Sequence, residues 1–321
     1  MRNFIKKTFS LLFILPIICY MLIYPKEAAF FAKQGLLVWF QVLIPTLLPF
    51  MILSTFLIKL NLHRVIVKIL TPITTPLFHL NPDSIYCIVF GFLCGFPMGA
   101  KIVTELYDSA YISKQEAAYL LAFCNNIGPV YFTSIVLTQI PLSLHIPFLA
   151  GFYGIPLLYG IILRHTVYKN LVITNSSPKI SLRNNKQTDK QLSFFDAIDE
   201  SVVSALSAIT HLGGYMILFN LYMCLSGILF SSKSIFYHIC NCLIEISGGI
   251  QGTLQSILTF PQKVFVILPL LTFTGCSCFA QTIAFINHTD LSLLPYFLHK
   301  VIQSLLLICY LCTLQFLFHI F

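Results

Sequence analysis

The chain has 321 residues, of which 57% are hydrophobic and 9% charged, and its mean hydropathy is +0.86. A soluble globular protein carries about 25% charged residues, so this composition excludes a water-facing surface and implies an all-α polytopic membrane protein with the lipid bilayer as its first partner. The net charge of +8 bears on topology rather than on nucleic acid, because the basic residues cluster at the ends of apolar segments.

About 20 apolar residues cross a bilayer. The first 24 residues join a basic flank (Arg2, Lys6, Lys7) to an apolar run from Thr8 to Tyr24. No small-residue cleavage site follows, so an uncleaved first helix is expected, with residues 1–34 as an N-terminal helix and loop. Further clear spans are expected at 35–58, 144–163, 202–230 and 296–319. Apolar but interrupted stretches lie at 84–99, 115–139, 235–260 and 263–286. A polar segment, 164–200, divides the chain into 35–163 and 201–321. Between Arg164 and Lys190 it holds six basic residues and one acid, which makes it cytoplasmic by the positive-inside rule. Its end, "SFFDAIDESVVSAL", reads as a short amphipathic helix.

The basic flank puts the N-terminus inside, and Lys59, Arg64 and Lys68 are inside after two crossings. Arg164 must also be inside, and spans 115–139 and 144–163 already supply an even number of crossings. Segment 84–99 is therefore expected to be re-entrant, with Lys101 and Lys114 cytoplasmic. Its text, "GFLCGFPMGAK", suits a turn at membrane depth, where Gly and Pro are tolerated under protein cover. The spacing of Gly91, Gly95 and Gly99 offers a small-residue face, expected to pack between the two halves, with Pro97 fixing the turn that presents Lys101.

The halves resemble each other. "PFMILSTFLIKL" (49–60) parallels "GYMILFNLYMCL" (214–225), and 99–113 parallels 279–292, which aligns Lys101 with Gln281. Charge makes 35–58 and 202–230 run in opposite directions, so two inverted repeats with re-entrant and broken helices are expected. Secondary transporters have that architecture, with substrate near the midplane. Breaks are expected at "NNIGP" (125–129), "EISGG" (245–249) and "TGCSC" (274–278), and Ser113 with Glu116 is expected to form a capping box.

Candidate pathway residues follow. Glu245 is an acid at the centre of an apolar segment, where ionisable residues tend to be functional; the alternative is a carboxylate capping the broken helix at Ser247. Lys101 could steer an anion or snorkel at the rim, and Glu105 stands four residues on. Asn125 and Asn126 could line a pore or bond between helices. His211 is expected to bond a neighbouring carbonyl and Asp290 to cap the last helix. The eleven cysteines read as small buried hydrophobes, so no metal and no cofactor are expected. No nucleotide-binding or hydrolase motif occurs, and Ser277 has no evident partner, so an enzyme is not expected.

Taken as a set, "GFLCGFPMGAKIVTELYDSAYISKQEAAYLLAFCNNIGPVYF", "LIEISGG" and "TGCSCFAQTIAFINHTDLSLLPYFLHK" resemble the sporulation integral membrane protein YlbJ (SpoVV) family, which carries the Gate, or nucleoside-recognition, domain. The resemblance covers roughly residues 35–320. In the second half only Gln281 clearly carries over to the family's pattern. The resemblance implies a role in sporulation, a bacterial cytoplasmic or forespore membrane, and transport of dipicolinate, a planar aromatic dianion. Lys101, inward helix N-termini and amide side chains would suit that anion, and Glu245 could carry a coupling proton. Competing classes are a metal-ion or nucleoside permease of the Gate type, the former using Cys94, Cys276 or Cys278, and a non-transporting spore-envelope protein. A homo-oligomer is left open.

Overall fold

The computed structural model describes residues 2–171 and 193–318; the core of the polar linker lies outside them. Every regular element among the described residues is helical. The chain opens with α1 (Arg2–Ile23) and α2 (Pro25–Val38), which runs through a π-helical turn (Trp39–Leu43) into α3 (Ile44–Lys59). Short helices α4 (His63–Lys68) and α5 (Thr71–Phe78) follow, then α6 (Pro82–Cys94), α7 (Met98–Asp108), α8 (Lys114–Cys124), α9 (Pro129–Tyr131) and α10 (His145–His165). Beyond the linker come α11 (Phe194–Tyr222), α12 (Ser226–Leu229), α13 (Ile235–Ile244), α14 (Ile246–Leu254), α15 (Phe260–Phe273), α16 (Gly275–Ile286) and α17 (Leu293–Phe318).

Among the described residues, six helical stretches are long and apolar enough to cross a bilayer: Pro25–Lys59, Lys114–Gln139, Leu142–His165, Phe194–Leu229, Phe260–Ile286 and Leu293–Leu317. The chain is an integral membrane protein of the polytopic all-α class. Two expected boundaries move. The span read as 35–58 starts at Pro25, because Pro25 at the first helical position opens a rod that Pro45 and Pro49 do not stop. The amphipathic helix before residue 202 is the first part of α11, which begins at Phe194 inside the segment read as linker.

The rod α2–α3 lies antiparallel to α11. Gly35 abuts Asn220 at one end, the Trp39 indole donates to the Ile209 carbonyl (2.8 Å), and Lys59 pairs with Glu200 at the other end. The helices that open the two halves therefore run in opposite directions, as charge alone implies.

Each half then inserts a helical hairpin. In the first, α6 starts on an Asn81 cap whose side chain accepts from the Ser84 N–H (2.7 Å), and it stops at Gly95, where φ is +81°. Arms α6 and α7 clasp the end of α8: a Cβ at Gly91 or Gly99 would lie 2.3 or 2.5 Å from the Cys124 carbonyl oxygen. The three glycines thus pack inside the first half and not between the halves, because the hairpin wraps the broken helix of its own repeat. In the second half, α13 and α14 fold back at Glu245. Gly249 abuts Cys242, and the Thr253 hydroxyl lies 3.5 Å from His238 Nδ1. Residues 235–254 are therefore also re-entrant and not an interrupted span.

Both broken helices occur where expected. Ser113 and Glu116 form the capping box of α8, which ends at Asn125 and resumes at Gly128-Pro129. Helix α15 ends at Thr274 (φ +79°) and α16 starts at Gly275 (φ +76°). In the first break Gly128 approaches the Cys94 carbonyl, and in the second Gly275 approaches the Cys242 carbonyl. Element order thus pairs α7 with α14 and α9 with α16. The motif alignment of 99–113 with 279–292 joins α7 to α16 instead, elements that hold different places in the two series.

One end of the bundle gathers most of the ionic contacts. Arg64 and His63 bond Asp83, Arg164 bonds the Phe78 and His79 carbonyls, and Lys59 meets Glu200. Lys114 and Tyr107 both donate to Asp290 (2.8 and 2.7 Å), and His288 meets Asp108 at 2.6 Å. Asp290 therefore ties the start of α8 to the loop before α17, whereas a capping role was expected. The positive-inside rule assigns this end to the cytoplasm. The first hairpin enters from it and the second from the opposite end.

Candidate functional site at the crossing of hairpin tips and helix breaks

The two hairpin tips and both breaks converge at mid-depth. Between them lies an open pocket, walled by Thr46 of α3, Phe96 of the first tip, Tyr131 of α9, Glu245 and Ser247 of the second tip, and Gln281 of α16. Phe50, Leu93 and Val130 at its mouth are exposed.

Glu245 is buried and caps α14. Its Oε1 accepts from the Ser247 N–H (3.2 Å) and the Ser277 hydroxyl (3.4 Å), and its Oε2 from the Gly248 N–H (2.7 Å) and the Asn220 amide (3.1 Å). Four donors on one carboxylate match its charge to the N-terminus of α14 and hold the second tip against α11 and α16. Ser277, which lacked a partner in the sequence, is thus bonded to Glu245. The Tyr131 hydroxyl in the pocket wall has no hydrogen-bond partner among the described residues.

Of the residues picked from sequence, Glu245, Ser247 and Gln281 meet at this pocket, and Gly95 and Pro97 frame the tip beside it. Asn125 and Asn126 stand behind it. The Asn125 Oδ1 accepts from the Ala100 N–H (3.2 Å), and its amide donates to Tyr296 (3.0 Å) and Thr282 (3.3 Å). It therefore bonds between helices and ties the first hairpin to α16 and α17. Asn126 accepts from Lys300 Nζ at 2.9 Å.

Lys101 is elsewhere. It lies one turn into α7, buried, donating to Thr55 (2.6 Å) and to Glu105. It therefore does not snorkel at the rim. It borders a separate open cavity of about 630 Å³ at the cytoplasmic end, with Glu105, Asp108, His211 and His288. His211 is exposed there and bonds no carbonyl among the described residues. Among the described residues no group of His, Cys, Asp and Glu could hold a metal ion.

Sequence reasoning missed Lys300, which is fully buried in α17. The signal was present: a lysine eight residues into a 26-residue apolar helix. The criterion that selected Glu245 selects it equally. The span expected at 296–319 contains it.

Residues 40–156 match the family described as Gate, nucleoside recognition. Over this stretch the chain is similar to Gate domains. The matched stretch runs from the π-helical turn through the first hairpin and the first broken helix into α10, so it lies in the first half of the bundle, without the second hairpin. The chain is also 24% identical over 309 residues to the sporulation integral membrane protein YlbJ of Bacillus subtilis (strain 168), covering 88% of this chain and 76% of that protein. No solved structure matches. The stretch that matches Gate supplies Phe96, Ile127, Gly128 and Tyr131 to the pocket, and the second half supplies Glu245, Ser247, Cys278 and Gln281.

Chemically, the pocket offers a hydroxyl at Thr46, Tyr131 and Ser247, an amide at Gln281, and aromatic walls at Phe50 and Phe96. Such a surface can grip a flat aromatic or heterocyclic solute through ring contacts and a few directed hydrogen bonds.

Proposed function

We propose that this chain is a non-enzymatic membrane transporter of a small organic anion, dipicolinate in a sporulating bacterium, and that the solute passes through the central pocket. The observation that carries the reading is the convergence of two opposed hairpin tips with two helix breaks on one pocket. Backbone at membrane depth is left unpaired only where it lines a cavity or is covered by protein, and transporters place substrate at such breaks. The choice of solute rests on similarity to the YlbJ relative, whose name places it in sporulation. The site is in keeping with it: the pocket has aromatic walls for a ring, and Glu245 spends its charge on four donors rather than opposing an anion.

A second reading is favoured by one specific observation. Among the described residues no lysine or arginine lines the central pocket, and hydroxyls and an amide suit a neutral nucleoside. Uptake of radiolabelled dipicolinate into proteoliposomes decides between them. Saturable uptake unaffected by excess uridine or adenosine supports the anion. Uptake of nucleoside with none of dipicolinate overturns it. In cells, spores from a deletion strain should lack dipicolinate and regain it on complementation.

A further inference from the structure

Lys300 stands out among the buried charges. The other buried intramembrane cation, Lys101, has a carboxylate partner in Glu105. Arg164 bonds four backbone carbonyls. Lys300 is fully buried, and its hydrogen-bond partner in the structure is one neutral acceptor, Asn126 Oδ1 at 2.9 Å. No carboxylate lies within ion-pair distance of it among the described residues. An ammonium has three donors, so two are unspent. One turn along α17, Gln303 Oε1 is also buried without a partner.

The surroundings are polar but uncharged. Helix α8 and its break present Cys124 and Asn126, α16 presents Cys278, and α17 itself presents Tyr296, whose ring lies 5.9 Å away. His299 turns to the Tyr159 hydroxyl of α10 (2.7 Å). The one ionisable side chain of α15 outside that group, Lys263, bonds the Leu254 carbonyl at the opposite end of the bundle. Glu245 is the contrasting case, with both oxygens occupied by donors of its own tip and its neighbours.

We propose that Lys300 is the residue that carries the coupling proton of this transporter, acting through Asn126 on the first helix break. The proposal rests on the transport reading above. In the step, the Nζ lone pair takes a proton from water on one side, forming an N–H bond, and the ammonium later returns that proton to water on the other side. A charge-assisted hydrogen bond is roughly twice as strong as a neutral one. Protonation therefore tightens the grip of α17 on Asn126, and deprotonation relaxes it. Ile127 and Gly128, the next two residues, wall the central pocket, as does Cys278 on the far side of Lys300. The charge on Lys300 thus acts on the pocket wall with no carboxylate nearby to hold it in one form. In this role Lys300 is a positioning residue.

The test uses the full chain in proteoliposomes with dipicolinate as solute and a pH-sensitive dye inside. Lys300→Gln should keep exchange of internal for external solute but lose stimulation by a pH gradient and the accompanying proton flux. Asn126→Asp supplies a permanent counter-ion and should lose the same stimulation, read per folded protein because the change also removes the amide's bond to the Phe123 carbonyl (2.6 Å). Independently of any solute, the ¹⁵Nζ signal assigned by its absence in Lys300→Arg should change protonation form between mildly acid and mildly alkaline pH. An Nζ that keeps one form throughout, or Lys300→Gln with wild-type pH dependence and proton flux, overturns the proposal. If the wild type moves no dipicolinate, the transport reading fails, and the Nζ titration still reports on Lys300 by itself.

Discussion

Gly95→Ala adds one methyl group at the tip of the first hairpin, and two independent costs follow. Gly95 has φ +81° and ψ −176°, a region that is essentially glycine's own, and an L-residue there is strained by about 1–3 kcal/mol. The new Cβ would also lie 2.2 Å from the Gly128 nitrogen and 2.4 Å from its Cα, where ordinary contact begins at 3.4 Å. Both neighbours are backbone, so no side chain can rotate away, and the tip must part from the α8/α9 break. Overpacking of this kind costs about 1–3 kcal/mol. The combined expectation is a loss of about 2–6 kcal/mol together with loss of transport, since Phe96 and Gly128 wall the pocket. The assay is thermal unfolding in detergent alongside proteoliposome uptake. Gly214→Ala is the control: it lies inside α11 with nothing within 4 Å of its Cβ position, and it should gain about 0.5–1 kcal/mol. A Gly95→Ala protein that melts with Gly214→Ala would show that the tip does not press on the break, and the reasoning would fail.

Glu245→Gln replaces one of two carboxylate oxygens by an amide that faces donors, either Ser247 N–H and Ser277 or Gly248 N–H and Asn220. It should destabilise the protein by about 1–3 kcal/mol, read as a lower melting temperature, so any loss of transport must be judged against the amount of folded protein; wild-type melting would remove the capping role. Ser109→Cys, at the end of α7, should react with a membrane-impermeant thiol reagent only from the cytoplasmic side, and labelling from the outside alone would reverse the topology. The Lys114 and Tyr107 donors beside Asp290 hold its carboxyl below the usual carboxylate range. A depressed folded value stabilises above the unfolded value and is lost as pH falls through the folded one. The contact should therefore persist at neutral pH and fail only in acid, and Asp290→Asn should remove that acid-dependent step from a pH series of melting curves.

Much of the plan was legible before folding, and the reasons are local. Composition alone placed the chain in the bilayer, because 9% charge cannot cover a wet surface. Gly-Pro chemistry marked the breaks at 125–129 and 274–278 and the tip at Gly95, since φ values near +80° and helix restarts are properties of a few residues. The Ser113–Glu116 capping box needs only a spacing of three. Basic clusters set the direction of α3 against α11, which the antiparallel contacts from Gly35 to Lys59 repeat.

What meets what was decided by tertiary packing. The glycine face of 91–99 turned to the broken helix of its own half, because Gly128 and Cys124 offered bare backbone at the matching depth. Residues 235–260 read as an interrupted span, and only the fold-back of Thr253 onto His238 makes 235–254 a hairpin. Lys101 and Glu245 are both candidate pathway residues in the sequence but stand at different levels, Lys101 with Glu105 near the cytoplasmic end and Glu245 at the centre. Lys300 gained its meaning from Asn126, 174 residues away. Helical spacing and capping are carried by a few neighbouring residues and can be read along the chain, whereas the partner of a buried charge is chosen by whichever distant helix fills the space beside it.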